Sequence, residues 1–238
     1  MSMATPLDTM VTRRRALLIG ATGLTGGHLL QRLLADRRYD AVHVLSRRPL
    51  PVREDRLHLH VVDFDNLPPE HTAFRVDDVY CCLGTTIRQA GSRRRFRQVD
   101  YDYPMMTARA ARAGGAETMV AISALGADPG SGNFYLRTKG ELERDLQRLA
   151  FRHLVLVRPS LLIGRRENKR LLEGAGMWLL PKLAFLMQGP LKPFRAIEAC
   201  VVARAMHRLA GQAAVGTRVV SSAELQLLGH VRRGPSDG

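Results

Sequence analysis

Leu17-Leu18-Ile19-Gly20-Ala21-Thr22-Gly23-Leu24-Thr25-Gly26 decides the reading of this chain. A short apolar run meets a glycine turn, and a helical pattern (Leu29, Leu30, Leu33, Leu34) begins at once. The spacing is GxxGxxG, a variant of the dinucleotide fingerprint. Gly20 allows the tight turn, Gly23 lets backbone approach a pyrophosphate, and Gly26 lets helix and strand pack closely. The new helix offers unpaired N–H groups and its positive dipole end to phosphates, with Thr22, Leu24 and Thr25 flanking them.

Working outward, the same rhythm repeats. Ala16–Gly20, Ala41–Ser46, Leu57–Val62, Asp78–Leu83, Met119–Ser123 and Leu154–Arg158 read as strands apolar on both faces. Thr25–Ala35, Tyr103–Ala113 and Asn133–Leu149 read as helices between them. A helix at Ala196–Ala210 and a strand at Thr217–Ser221 complete the pattern. Strand–helix alternation implies an α/β fold, a Rossmann-type doubly wound parallel sheet. Residues 1–13 read as a flexible tail and 14–238 as one domain, with 161–195 forming a small substrate-side lobe and the last residues frayed.

Composition agrees. The chain has 238 residues, 45% apolar and 24% charged, which is globular rather than disordered. Three cysteines without CxxC spacing exclude a disulfide scaffold and a zinc finger. No apolar run is long enough for a membrane span, and Thr12–Arg15 before a run broken by Gly20 lacks the form of an export signal, so the expected compartment is the cytoplasm. The net charge is +14, with four lysines against 32 arginines. The arginines are scattered without interleaved aromatics, so no specific nucleic-acid partner is expected. Arg93-Arg94-Arg95 reads as a solvated loop.

Other strand ends supply the remaining cofactor contacts. Ser46-Arg47-Arg48 stands where a carboxylate would select NAD(H), and a guanidinium there suits a 2′-phosphate, so NADP(H) is expected through Arg47 and Arg48. Asp63 and Phe64 follow the third strand, and Leu83-Gly84-Thr85-Thr86 follow the fourth. Both stretches lie at C-terminal strand ends, where open α/β sheets bind ligands.

Tyr135 and Lys139 stand at i and i+4, on one helix face. A nearby ammonium favours the phenolate, and Lys139 can also hold the nicotinamide ribose. Ser123 closes the preceding strand, where its hydroxyl can orient a carbonyl. The three suit hydride transfer with Tyr135 moving the proton. Cys81 and Cys82 read as buried, inert thiols. His58 and His60 share a strand face near Asp63 and Asp65, but no third ligand appears at a metal-binding spacing.

The order of glycine turn, strand-end serine, Tyr-x-x-x-Lys helix and Arg158-Pro159 resembles the extended or atypical short-chain dehydrogenase/reductase superfamily. More narrowly, it resembles the Tat-interacting oxidoreductase family and its bacterial relatives. Cys81-Cys82-Leu83-Gly84-Thr85-Thr86, Val99-Asp100-Tyr101-Asp102-Tyr103 and Tyr135-Leu136-Arg137-Thr138-Lys139-Gly140-Glu141 carry the likeness, which spans roughly residues 15–210. It implies a Rossmann fold, bound NADP(H) and an oxidoreductase role, with Pro159 beside the cofactor. Many extended members have Asn where this chain has Asp100. The expectation is an oxidoreductase acting on a small carbonyl or alcohol as a monomer or homodimer. The alternatives are a non-catalytic NADP(H)-sensing interaction protein and a sugar-nucleotide epimerase, for which the stretch after Gly164 is short.

Overall fold

The computed structural model describes residues 13–164, 196–212 and 214–230. Most of the expected tail, most of the substrate-side lobe and the chain's last residues lie outside the described residues.

Seven strands form one parallel sheet: β1 (Arg14–Ile19), β2 (Tyr39–Ser46), β3 (Leu57–Val61), β4 (Asp78–Cys81), β5 (Thr118–Ile122), β6 (His153–Arg158) and β9 (Gly216–Ser221). Their order is β3-β2-β1-β4-β5-β6-β9, and every pairing is parallel. The order reverses between β1 and β4, which opens a crevice at their C-terminal ends. Two short strands, β7 (Leu162–Ile163) and β8 (Ile197–Glu198), pair separately.

Both faces are covered, which explains the lack of polar alternation. Leu18 of β1 packs on one face with Leu29 and Leu33 of helix α1 (Leu24–Ala35) and Val202 and Met206 of a late helix, Ala199–Gly211. Leu17 and Ile19 face the other way, toward Met105 of α4 (Tyr103–Ala113) and Leu142 and Leu146 of α5 (Phe134–Arg148). Each fully buried leucine contributes about 1.5–3 kcal/mol relative to exposure.

Two sequence expectations are corrected. The stretch after β4 is not a solvated loop: Thr86 caps a short helix α2 (Ile87–Ala90), and Ser92 caps α3 (Arg93–Arg97). One wide helical turn, Gln98–Asp102, joins α3 to α4. β1 begins at Arg14, two residues early, because Arg14 makes paired bonds of 2.9 and 2.6 Å to buried Asp78. Tyr39 donates to the same carboxylate at 2.7 Å and meets Tyr80 at 2.8 Å, a polar network under the sheet. Ser222–His230 is helical, closing on the late helix, where the sequence shows no strong periodicity.

Candidate active site at the sheet switch point

The glycine turn opens directly off β1. Gly20 holds φ +85°, and a Cβ there would lie 2.5 Å from the Cys82 carbonyl. The β1 turn and the segment leaving β4 therefore touch backbone to backbone at the switch point. A Cβ on Gly26 would lie 2.1 Å from the Gly20 carbonyl oxygen, so only glycine lets α1 start this close to the turn. Gly23 donates to Gly20 O at 2.9 Å, and no side chain caps α1. The cradle fits a dinucleotide's phosphates: a tight glycine turn, a first helical turn without a side-chain cap, and no acidic residue in it. Thr22 is exposed, Leu24 packs toward Gly164, and Thr25 is buried with its hydroxyl lacking a hydrogen-bond partner among the described residues.

Arg47 and Arg48 are exposed just past β2, and neither guanidinium has an ion pair among the described residues. Asp63 is exposed and organises its own turn, accepting from Asp65 N at 3.1 Å and Asn66 Nδ2 at 2.7 Å. Those bonds hold its carboxyl below the usual range. The Phe64 ring turns into the core against Tyr103, with centroids 5.1 Å apart. Leu83 and Thr85 are half-buried, Gly84 is exposed, and Thr86 spends its hydroxyl on capping Gln89 N at 3.1 Å.

Asn133 caps α5 by accepting from Tyr135 N at 2.9 Å and Leu136 N at 3.2 Å. The cap fixes where Tyr135 and Lys139 leave the helix. The Tyr135 ring is half-buried against Phe96 of α3, 5.6 Å between centroids. Arg158, at the end of β6, clamps α5 with bonds of 2.9 and 2.6 Å to buried Glu143. Ser123 follows β5 and is 4% exposed, with a hydroxyl that has no hydrogen-bond partner among the described residues. Pro159 is buried, and its carbonyl accepts from Leu125 N at 3.0 Å, tying the β5 and β6 ends together.

Asp100 is the residue whose role the sequence left open. It is fully buried in the wide turn, with Oδ1 2.7 Å from Lys139 Nζ, and Lys139 is 3% exposed. Its other oxygen accepts from Thr85 N at 2.9 Å. One carboxylate thus joins the loop after β4 to α5. Burial pulls the Lys139 ammonium down, but Asp100 and then Tyr135 outweigh it, so its pKa is raised. No local signal in the sequence singles it out: Asp100 stands in the polar stretch Arg97-Gln98-Val99-Asp100-Tyr101-Asp102, and its partner Lys139 lies on a separate helix.

Cys81 is buried as expected and Cys82 is half-buried; burial pushes Cys81 up to about 11 and Cys82 well above its ordinary value. Among the described residues no group of three or more His, Cys, Asp or Glu is arranged to hold a metal ion. No described helix is long and apolar enough to cross a membrane.

Residues 20–176 match the family described as NAD(P)H-binding. The chain belongs to the NAD(P)H-binding family. It is 34% identical to Protein HTATIP2 of Rattus norvegicus over 84% of this chain and 82% of that protein. It is 37% identical to Protein FMP52, mitochondrial, of Candida glabrata over 73% of each. Among solved structures, MoeE5 in complex with UDP-glucose and NAD superposes with TM-score 0.64 at 18% identity, over 89% of this chain and 79% of that one. That likeness establishes the fold: a seven-stranded, Rossmann-like parallel sheet.

Proposed function

We propose that this NAD(P)H-binding protein is an NADP(H)-dependent oxidoreductase acting on a small carbonyl or alcohol. The observation carrying the reading is the buried Ser123 hydroxyl, without a hydrogen-bond partner among the described residues, at the end of the strand that precedes the Tyr135–Lys139 helix. A hydroxyl desolvated without a partner costs about 1–3 kcal/mol, which a substrate oxygen would offset. When bound, the dinucleotide supplies or accepts hydride at its nicotinamide. Tyr135 donates a proton to, or takes one from, the substrate oxygen, and Ser123 donates a hydrogen bond to the same oxygen. Lys139 holds positive charge beside Tyr135, fixed in place by Asp100. The exposed guanidinia of Arg47 and Arg48, without an ion pair among the described residues, favour a 2′-phosphate over a bare ribose hydroxyl.

The test is NADPH oxidation over a panel of aldehydes and ketones. Tyr135→Phe should lower kcat by about 10²–10⁴-fold while NADPH affinity stays within twofold. Full activity in that variant would refute the assignment.

A second reading has its own observation. Asp100 compensates the Lys139 charge, which weakens the ammonium's field at Tyr135. A protein that holds NADP(H) chiefly as a signal for a partner would tolerate this. It would bind cofactor without turnover, and Tyr135→Phe would leave partner binding unchanged. Under either reading we place the protein in the cytoplasm, where unpaired cysteines such as Cys81, Cys82 and Cys200 persist. We expect no nucleic-acid partner, and a monomer or homodimer.

A further inference from the structure

The C-terminal end of α1 and the late helix Ala199–Gly211 border an open cavity of about 630 Å³. Arg32, Ala35, Asp36, Arg37, Arg38 and His207 form its wall. α1 has 12 residues, so the cavity lies about 18 Å from the glycine turn at the helix's other end. β2 starts beside it, which places it at the N-terminal edge of the sheet, away from the crevice between β1 and β4. Its volume suits a small molecule, but its wall is cationic where such sites are mostly apolar.

Asp36 is the one carboxylate in that wall, and it is already satisfied. It accepts from the Arg38 backbone N–H at 2.9 Å and from Arg38 Nε at 2.8 Å, and His207 Nε2 lies 2.6 Å from it. Burial would raise this carboxyl, but Arg38 and His207 hold it down at about 2. Burial keeps the His207 imidazole below its ordinary value in spite of Asp36, so His207 adds no positive charge at neutral pH.

Arg32 and Arg37 are left over. Arg32 is half-buried and Arg37 exposed, and neither guanidinium makes a hydrogen bond or an ion pair among the described residues. The end of α1 does not need them, because Arg56 already donates to the carbonyls of Leu34 and Asp36. Arg204 and Arg208 of the late helix act on Arg32 as further positive charges, and each is held in place by a carbonyl, of Gly229 and of Leu228. Burial, then Arg204 and Arg208, pull Arg32 below the ordinary guanidinium value. Three helix C-termini meet here (α1, Ala199–Gly211 and Ser222–His230), each worth about half a negative charge. Together with Asp36 they leave roughly two positive charges of Arg32, Arg37, Arg38, Arg204 and Arg208 uncompensated. A half-buried guanidinium repelled by its neighbours is stabilised by a dianion, and its planar fork of donors pairs with two phosphate oxygens.

We propose that Arg32 and Arg37 make this cavity a binding site for a soluble phosphate monoester, separate from the dinucleotide site. The inference uses neither the glycine turn nor Ser123, Tyr135 and Lys139, so it stands apart from the oxidoreductase reading.

Phenyl phosphate is titrated into the full chain, saturated with NADP+ to fill the glycine turn, in about 0.15 M sodium chloride so that diffuse attraction is screened. Nitrogen–proton correlation NMR reads each amide. Amides of residues 32–38 and 207–211 should shift together with a Kd below about 1 mM, while those of residues 20–26 stay where NADP+ has put them. Arg32→Gln/Arg37→Gln keeps good helix formers and should raise that Kd at least about tenfold. Arg37→Gln alone, at an exposed position after α1, serves as a second variant if the double one loses the β5–β6 signals, and should raise the Kd at least about threefold. Arg94→Gln removes an exposed charge from α3 and should leave the Kd within about twofold. No shift at residues 32–38 and 207–211, an unchanged Kd in the Arg32 and Arg37 variants, or an equal loss in Arg94→Gln overturns the site. Absence of NADP+ shifts at residues 20–26 overturns the cofactor reading instead, and the amides of residues 32–38 still decide this one.

Discussion

Replacing Asp100 by Ala strands a buried ammonium. Lys139 is 3% exposed and Asp100 is 0% exposed, at 2.7 Å. Removing one partner of such a pair costs about 3–5 kcal/mol, because the other charge stays desolvated. The Thr85 N–H also loses its acceptor. In a chain of this length each kcal/mol moves Tm by about 2–4 °C, so Tm should fall by about 6–20 °C. The pH dependence carries a sign. In the wild type the Lys139 pKa is raised, so the pair's stabilisation is complete below the unfolded value near 10.4 and is lost only as pH climbs through the folded value. In Asp100→Ala, burial, the largest influence on Lys139, outweighs what Tyr135 still supplies and depresses it. The unfolded chain then binds the extra proton, so the variant gains stability relative to wild type as pH rises from 7 toward 10. Urea unfolding followed by circular dichroism at pH 7, 8.5 and 9.5 reads this directly. Asp100→Ala/Lys139→Met removes both charges and should recover most of the loss. A single variant within about 1 kcal/mol of wild type, or a double variant as unstable as the sum of its singles, would refute the argument.

Arg47→Ala/Arg48→Ala should weaken NADPH by about 10–100-fold in a fluorescence titration and leave NADH within twofold, since charge-assisted bonds to the 2′-phosphate are worth about 1.5–3 kcal/mol; equal losses for both nucleotides would defeat the selectivity argument. Gly26→Ala places a Cβ 2.1 Å from the Gly20 carbonyl oxygen, so α1 must shift; urea unfolding should show a loss of about 1–3 kcal/mol, and NADPH affinity should drop at least tenfold. For His43, depressed from 6.5 to about 4, stability is complete above the unfolded value and is lost as pH falls between those two. That gap is worth at most about 3 kcal/mol, cut to about 1–2 by solvent screening at a half-exposed ring; His43→Gln should flatten the fall of urea midpoints between pH 7 and 4.5 by that amount.

The alternation that set the fold was legible because strands covered on both faces carry apolar runs, and β1, β4, β5 and β6 lie where those runs stand, whereas edge strand β3 alternates leucine with histidine and is only partly covered. What pattern could not reach was chemistry that depends on a partner far along the chain. Arg14 reads as one of three surface arginines; in the fold it is bound to Asp78, 64 residues away. Arg56, just before β3, donates to the carbonyls of Asp36 at 2.9 Å and Tyr39 at 2.7 Å, and to that of Leu34, closing the C-terminal end of α1. Part of the +14 charge is therefore structural, spent on helix ends and buried acids rather than on an anionic partner. Arg93-Arg94-Arg95 reads as a loop for a related reason, though it opens the helix Arg93–Arg97. The helix is held by Ser92 capping and by Phe96 inserting between Phe134 and Tyr135, and a five-residue segment is too short to show a period.

Asp100 changes the logic of the tyrosine–lysine pair. A lone ammonium acts on a neighbouring phenol as a monopole, but an ammonium 2.7 Å from a carboxylate acts largely as a dipole, whose field falls faster with distance. An amide at position 100 would keep the acceptor for Thr85 without cancelling the charge. The carboxylate therefore exchanges some electrostatic help at Tyr135 for a rigid link between α5 and the loop after β4. That loop faces the crevice between β1 and β4, where the dinucleotide fits. On the proposed function, filling of the crevice would be coupled to the position of Lys139 through two contacts, Thr85 N to Asp100 and Asp100 to Lys139. The same linkage serves a reductase that sets its ammonium only when cofactor is bound, and a sensor that transmits cofactor occupancy to the surface of α5. The two differ in whether the unpartnered Ser123 hydroxyl meets a substrate oxygen, and turnover by wild type lost in Tyr135→Phe is what separates them.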